Sequence, residues 1–434
     1  MRFSINTLGC KVNLYESEEI SRLLAGSGFR RVDYRSGKPH LCIINTCTVT
    51  SKSDRKVRQL IRKLKKINNS ALLAVTGCFI ENNRDFLKEN NVDFVLENDR
   101  KDDIPTMVKE ILALMETEDT MSEYDTGPYS DTPLNHSRPM IKVQDGCEQH
   151  CTYCIIPIVR GGYKSMQAKG ILRNIQSLVQ KGFEEVVLTG IHIGKYGIEA
   201  VGDNLLYSLL GEILSKTYIR RIRISSLEIN EIDSLLLKVL KGNKDRIAPH
   251  LHIPLQSGSD AILEKMGRPY DSGYFRDGIR KIKSILPGTA FTTDVMVGFP
   301  GETEKDFTKT MEIVTDIGFS KLHVFRYSPR PGTRAFLFKD MVSGEIKNRR
   351  SRVLLKQGDK MRRMFIERNI GKVLEVAVEK RDTNGTLLSG ISGDYIKVYF
   401  DAWPKPEKMS GKIIRIKAEK TFEDGLVGVV IDMI

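Results

Sequence analysis

The stretch Cys147-Glu148-Gln149-His150-Cys151-Thr152-Tyr153-Cys154 decides how this chain is read. Its C-x3-C-x2-C spacing lets one loop wrap a face of an iron–sulfur cluster, since thiolates are soft, anionic ligands for iron. Three thiolates are offered where a four-iron cluster has four irons, which leaves one iron open to an exogenous ligand, as catalytic metal sites require. The loop follows a predicted strand, Ile141-Lys142-Val143, and so lies at the C-terminal strand end where a parallel barrel holds its chemistry. A structural zinc knuckle with His150 as fourth ligand is the competing reading of the same residues.

Outward from the loop, the region 137–368 alternates strands and helices. Predicted strands are Met140 to Val143, Glu185 to Leu188, Arg221 to Ile224, His250 to Ile253, Ala290 to Val295 and Lys321 to Phe325. Six strand–helix steps favour a curved parallel sheet or partial (β/α) barrel, and Ser225, Ser226, Gln256 and Asp294 fall at C-terminal strand ends. The region 1–115 repeats the alternation on a smaller scale, with strands at Leu41 to Ile44, Leu72 to Val75 and Val92 to Leu96, and reads as a parallel α/β domain. A polar, acidic stretch with Gly127-Pro128 and Thr132-Pro133 reads as a linker over 116–136. Over 369–434 the pattern changes to short strands with turn signals at Asn384-Gly385, Ser392-Gly393 and Asp424-Gly425, which predicts a small antiparallel β-barrel. The fold class is therefore α/β with an appended barrel.

Cys10, Cys47 and Cys78 are dispersed, and their spacing alone says little, because single buried cysteines are common core residues. Their placement says more. Each falls just after a predicted strand, so a parallel sheet would bring all three to one edge. Cys42, inside the apolar run Leu41-Cys42-Ile43-Ile44, reads as core. Seven cysteines in 434 residues are too few and too clustered for a disulfide scaffold, and in a reducing cytosol grouped cysteines point to metal or thiol chemistry.

Hydrophobic residues make up 40% and charged ones 28%, a globular composition. No apolar run reaches membrane-spanning length, and Met1-Arg2-Phe3-Ser4-Ile5-Asn6 lacks the apolar core of a signal peptide, so a cytoplasmic protein is expected. The net charge is +13. From Ser51 to Lys66 eight Lys/Arg stand against one Asp, and from Met341 to Ile370 nine stand against three acids; these +7 and +6 account for the whole excess. Both stretches read as helices, either two solvated faces or two faces that meet RNA.

The three-cysteine loop with Tyr153 before its last cysteine resembles the radical S-adenosylmethionine superfamily. The resemblance continues through Leu188-Thr189-Gly190-Ile191, Arg223-Ile224-Ser225-Ser226-Leu227, and His252-Ile253-Pro254-Leu255-Gln256-Ser257-Gly258. It extends over Asp294-Val295-Met296-Val297-Gly298-Phe299-Pro300-Gly301-Glu302-Thr303 and Tyr327-Ser328-Pro329-Arg330-Pro331-Gly332-Thr333. Together these are similar to the methylthiotransferase branch over essentially the whole chain. The resemblance implies a catalytic four-iron cluster on Cys147, Cys151 and Cys154, whose open iron holds S-adenosylmethionine. It also implies an auxiliary four-iron cluster on Cys10, Cys47 and Cys78 that serves sulfur insertion, with an electron relay as the other role for it. Tyr153, Thr189, Gly190, Ser225 or Ser226, Gln256 and Asp294 are expected around the cofactor. For single residues the bland alternatives are a turn glycine and strand-end caps. Gly190 is expected to let backbone approach a ligand. His192 is read as a packed or surface histidine, and Ile158 and Val159 receive no role.

By the same resemblance the C-terminal region is a TRAM-like, substrate-holding barrel. Arg415 and Lys417, with Lys412, are its candidate RNA contacts; Trp403 and Tyr399 read by default as apolar core, with base stacking as the alternative. Three substrates are open: threonylcarbamoyl-adenosine in tRNA, isopentenyl-adenosine in tRNA, and an aspartate of a ribosomal protein. The stretches Gly190-Ile191-His192-Ile193-Gly194-Lys195-Tyr196-Gly197 and His323-Val324-Phe325-Arg326-Tyr327-Ser328 look most like the first branch. The implied reaction places sulfur and a methyl group on carbon 2 of the adenine beside the anticodon. One S-adenosylmethionine supplies the methyl group, a second the radical that removes hydrogen, and a flavodoxin- or ferredoxin-type protein the electron. The rivals are a non-catalytic RNA-binding protein with structural metal and an electron-transfer protein.

Overall fold

The computed structural model describes residues 1–98, 100, 106, 109–111, 113, 137–379, 387–401 and 409–433. The expected linker over 116–136, the Asn384-Gly385 turn and Trp403 lie outside the described residues. The chain forms two compact units. One comprises Met1–Leu134 with Asp145–Lys164 and Ser328–Leu337; the other comprises Asn135–Gln144, Ser165–Tyr327 and Phe338–Ile434. The three-cysteine loop thus belongs to the unit built on the N-terminal sheet.

In the first unit, strands β1 (Arg2–Thr7), β2 (Arg30–Arg31), β3 (Leu41–Thr46), β4 (Leu72–Gly77) and β5 (Phe94–Leu96) form one parallel sheet in the order β2-β1-β3-β4-β5. All six residues of β3 are buried, because a parallel sheet is covered on both faces. Leu41 and Ile43 pack with Phe3, Ile20 and Leu24 against the helix Lys11–Gly26. Cys42 and Ile44 face the other way, against Val57, Ile61 and Leu64 of the helix Ser51–Ile67. Cys42 is therefore a core residue, 1% exposed. Helix Ser51–Ile67 starts where Thr50 accepts a hydrogen bond from the Ser53 N–H, and its apolar residues recur at helical spacing, so its basic residues are pushed to the outside.

The second unit has a partial barrel. Strands β6 (Met140–Asp145), β7 (Lys164–Ser165), β8 (Glu185–Gly190) and β9 (Arg221–Ile224) lie in the order β7-β6-β8-β9, and β10 (His250–His252), β11 (Ala290–Val297) and β12 (Lys321–Arg326) form a second parallel sheet. The Ile222–Ile247 bridge and the Leu227 N–H donated to the His252 carbonyl (3.0 Å) join the two sheets. The β6–β8 register slips between Lys142 and Gln144, a bulge that ends the pairing just before the cysteine loop.

The helix Gly344–Glu367, capped by Ser343, leads to the C-terminal barrel. That barrel closes in the order β13-β14-β15-β17-β16, from β13 (Val373–Val378), β14 (Leu387–Ser392), β15 (Lys397–Asp401), β16 (Ile413–Phe422) and β17 (Gly425–Met433). Four pairings are antiparallel and one, β15 with β17, is parallel. A buried ionic cluster fixes this barrel to the core of the same unit. Glu185 accepts from Arg221 (2.5 Å) and Arg223 (2.9 Å), and Arg223 also donates to the carbonyls of Ser392 (2.9 Å) and Gly393 (2.8 Å).

Candidate iron–sulfur and cofactor sites

The cysteine loop is pinched shut at its neck. Cys147 N–H donates to the Gly161 carbonyl at 3.0 Å, and Cys154 N–H to the Cys151 carbonyl at 3.0 Å. Gly146 has φ +68°, and a Cβ there would stand 1.7 Å from the Gly162 carbonyl oxygen, so only glycine fits the neck. Within the loop Gln149 N–H points at Cys147 Sγ (3.4 Å), the kind of donor that stabilises a thiolate. Cys147 is buried and Cys151, Cys154 and Tyr153 are half-buried, while His150 is exposed. The segment Ser328–Leu337 braces the loop: Ala335 N–H donates to the Thr152 carbonyl (2.8 Å).

The dispersed cysteines do share a sheet edge. Cys10 caps the helix Lys11–Gly26 after β1, and Cys47 and Cys78 directly follow β3 and β4. Because β1, β3 and β4 are adjacent and parallel, all three sit at the C-terminal edge. Cys10 and Cys47 flank the point where strand order reverses, the usual ligand crevice of open α/β sheets. Gly77 (φ +103°) packs so tightly that a Cβ would lie 2.3 Å from the Thr46 carbonyl, which holds Cys78 against the Cys47 strand. A Cβ on Gly9 would lie 3.0 Å from Cys47 Cβ. Burial pushes the Cys47 thiol up, and the neighbouring Cys78 and Cys10 push it the same way, so the three thiols feel one another.

Arg160 is the residue that local pattern missed. Its buried guanidinium donates to Cys78 Sγ (3.3 Å), Asn13 Oδ1 (2.6 Å), Glu16 Oε1 (3.1 Å) and Asp145 Oδ1 (2.7 Å). Arg330 plays a similar part on the Cys47 side, donating to the Thr48 carbonyl (2.9 Å) and Asp54 (2.6 Å).

Both thiol sets fit iron–sulfur clusters. None of the seven cysteines is in a disulfide, each set carries N–H donors aimed at sulfur or backbone that fixes its loop, and each set offers three thiols. Among the described residues no group of three His, Cys, Asp or Glu stands close enough together to hold a metal ion, so the assignment rests on donor type and placement.

In the second unit the strand-end residues differ sharply from one another. Thr189 is buried, 1% exposed, at the end of β8. Ser225 is buried and its hydroxyl has no hydrogen-bond partner among the described residues, whereas Ser226 is exposed. Gln256 holds φ +65°, a left-handed conformation uncommon for a residue with a side chain. Hydrogen bonds on both sides keep it there, Gln256 N–H to the Asp294 carbonyl (2.9 Å) and Met296 N–H to the Gln256 carbonyl (2.8 Å).

One expectation is corrected here. Asp294 lies inside β11, not at its end, because Met296 and Val297 go on pairing with Phe325 and Arg326. Its carboxylate lies 3.2 Å from His252 Nε2. Gly190 keeps an ordinary backbone, and its missing side chain is taken up by packing, since a Cβ would meet Ile193 at 2.6 Å and the Gln144 carbonyl at 2.8 Å. Tyr399 is fully buried with its hydroxyl on Glu423 (2.7 Å) and fills the barrel core, its default reading. His192 is packed as expected, 2.6 Å from Glu231.

The candidate RNA contacts are partly spent on protein. Arg415 pairs with Asp432 across the barrel surface and Lys412 with Glu184 (3.4 Å), while Lys417 is exposed. On helix Ser51–Ile67, Arg58 and Arg62 lie over the Phe86 ring and Lys65 pairs with Asp93, but Lys52, Arg55, Lys56 and Lys66 are exposed.

Comparison with known proteins bears on these sites. Residues 2–97 match the family described as "Uncharacterized protein family UPF0004" and residues 141–314 match the radical SAM superfamily. The chain is 36% identical to the threonylcarbamoyladenosine tRNA methylthiotransferase MtaB of Bacillus subtilis, covering 96% of this chain and 93% of that one. It is 35% identical to the protein of the same name in Aquifex aeolicus, over 96% and 100%. It is 30% identical to the tRNA-2-methylthio-N(6)-dimethylallyladenosine synthase of Finegoldia magna, over 98% and 90%. Among solved structures, the cobalamin- and [4Fe-4S]-bound radical S-adenosylmethionine methyltransferase TsrM of Kitasatospora setae shares the fold, with TM-score 0.57, 13% identity and coverage of 77% and 76%. The cofactors of such enzymes are S-adenosylmethionine and 4Fe-4S clusters, and the chain belongs to the methylthiotransferase family of radical S-adenosylmethionine enzymes.

Proposed function

We propose that this enzyme methylthiolates carbon 2 of N6-threonylcarbamoyladenosine beside the anticodon of tRNA, using two four-iron clusters. The observation that carries the reading is the near-full-length identity to MtaB proteins, 36% for that of Bacillus subtilis, against 30% for the dimethylallyl-type relative. When bound, the cluster and S-adenosylmethionine supply a radical able to take hydrogen from an unactivated aromatic carbon, which acid–base groups cannot do.

The chain's own residues do the holding. Cys147, Cys151 and Cys154 hold one cluster, in a loop closed by Gly146 and Gly161. Cys10, Cys47 and Cys78 hold the other at the sheet edge. Ser225, with its buried and partnerless hydroxyl, together with Gln256 and Asp294, binds polar atoms of S-adenosylmethionine. Exposed Lys52, Arg55, Lys56 and Lys417 meet RNA phosphates, a salt-sensitive contribution. The enzyme works in the cytoplasm on tRNA, with an external one-electron donor.

The test is mass spectrometry of tRNA nucleosides from cells lacking this protein. Loss of the methylthio form of threonylcarbamoyladenosine is expected; loss of the isopentenyl counterpart instead would overturn the substrate assignment. Anaerobically loaded protein is expected to hold about eight irons, as two four-iron clusters require.

A further inference from the structure

Arg160 is a buried, many-partnered cation of the first unit, with its side chain 1% exposed. Its Nε–H points at Cys78 Sγ (3.3 Å). Its Nη2–H goes to Asn13 Oδ1 (2.6 Å), the atom that also accepts from Cys10 Sγ (3.5 Å), while Asn13 Nδ2 donates to the carbonyl of Thr46 (2.8 Å), the residue before Cys47. One guanidinium thus reaches the Cys78 sulfur directly and, through Asn13, the backbone carbonyl just before Cys47; the Cys10–Asn13 contact belongs to the free thiol. Its remaining N–H groups bind Glu16 and Asp145, the latter two residues before Cys147. An arginine needed only to neutralise Glu16 and Asp145 has no reason to spend an N–H on a sulfur.

We propose that Arg160 is a positioning residue which holds Cys78 as a cluster ligand and, through its charged N–H···S bond, raises the reduction potential of the cluster on Cys10, Cys47 and Cys78. This rests on the two-cluster reading above. A donor on a ligand sulfur stabilises the more negative, reduced cluster, and burial strengthens the effect because water does not screen it. Arg160 therefore makes the dispersed cluster easier to reduce than its thiolates alone allow.

The test uses the full chain with Cys147, Cys151 and Cys154 all replaced by Ala, so that only the dispersed set takes up iron. It is loaded anaerobically and titrated with dithionite while the reduced cluster is followed by electron paramagnetic resonance. Arg160→Gln is expected to lower the reduction equilibrium at least tenfold, about 59 mV for one electron. Arg160→Lys keeps the charge, and with it the compensation of Glu16 and Asp145, but one ammonium cannot serve sulfur, Asn13 and two carboxylates together; a loss of at least threefold is expected. An unchanged midpoint in whichever variant binds its four irons overturns the proposal. A parent protein that takes up no iron overturns the reading of the dispersed cysteines instead, which is a separate failure.

Discussion

The guanidinium carbon of Arg223 lies 4.1 Å from the ring centroid of Tyr395, which brings the turn between β14 and β15 to the N-terminal ends of β8, β9 and β10. His250 meets the same ring edge-on at 4.4 Å. The C-terminal barrel is thereby fixed to the end of the core strands opposite Ser225 and Gln256. Tyr395→Leu removes the cation–π contact and is expected to cost about 1–2 kcal/mol, read as a lowered melting temperature.

Glu185 beneath this pair sets a pH dependence. Burial alone raises its pKa, but Arg223 and Arg221 outweigh burial and hold it down to about 2, against 4.5 for an ordinary glutamate. The folded value lies below the unfolded one, so its contribution, roughly 3 kcal/mol, is complete above about pH 4.5 and is lost as the pH falls toward 2. Glu185→Gln is expected to melt well below wild type at pH 7, with the gap closing below pH 4.5. A gap that stays constant with pH counts against the linkage.

Glu18 shows the opposite sign. Burial, aided by Glu19 and opposed by Arg31, raises its pKa to about 7 from 4.5. A raised carboxyl favours the fold while protonated, so stability present below about 4.5 is lost as the pH rises through 7. Glu18→Gln is therefore expected to stabilise the fold at pH 8 by up to about 3 kcal/mol, read as a raised melting temperature, and to leave it unchanged at pH 4.

Gly146→Ala tests the pinched neck. The added Cβ collides with the Gly162 carbonyl and the residue's φ of +68° disfavours any side chain. About half of the iron, the share of the Cys147 loop, is expected to be lost, along with reductive cleavage of S-adenosylmethionine. Full iron content with normal cleavage would count against the neck's importance.

Ser225 and Ser226 are separable by binding. Only Ser225 carries a buried hydroxyl in need of a partner. Ser225→Ala is expected to weaken S-adenosylmethionine binding roughly fivefold to tenfold, the worth of one hydrogen bond, and Ser226→Ala less than twofold. Calorimetric titration of the loaded enzyme decides between them.

The two thiol sets are expected to differ in function. Cys147→Ala abolishes 5′-deoxyadenosine formation, while Cys47→Ala retains part of it and stops methylthio transfer. Chromatography of both products from one reaction checks this; equal loss of both activities would count against separate roles.

The sequence by itself determined what depends on neighbours along the chain. The C-x3-C-x2-C spacing, the strand–helix alternation and the burial of Cys42 were legible because a loop, an amphipathic period and an apolar run are local properties. That Cys10, Cys47 and Cys78 each follow a strand was legible too, but only the order β1-β3-β4 makes those strands adjacent, and pairing order is a long-range property. The family motifs did not separate chemistry from scaffolding. Glu302 in the Gly298–Thr303 stretch is buried under Arg350, and Thr303 caps the next helix, so part of that motif holds the fold. Arg160 makes the point most sharply. Its partners Cys78, Glu16 and Asn13 lie 82, 144 and 147 positions away, a convergence produced by packing one buried cation against the groups able to satisfy it.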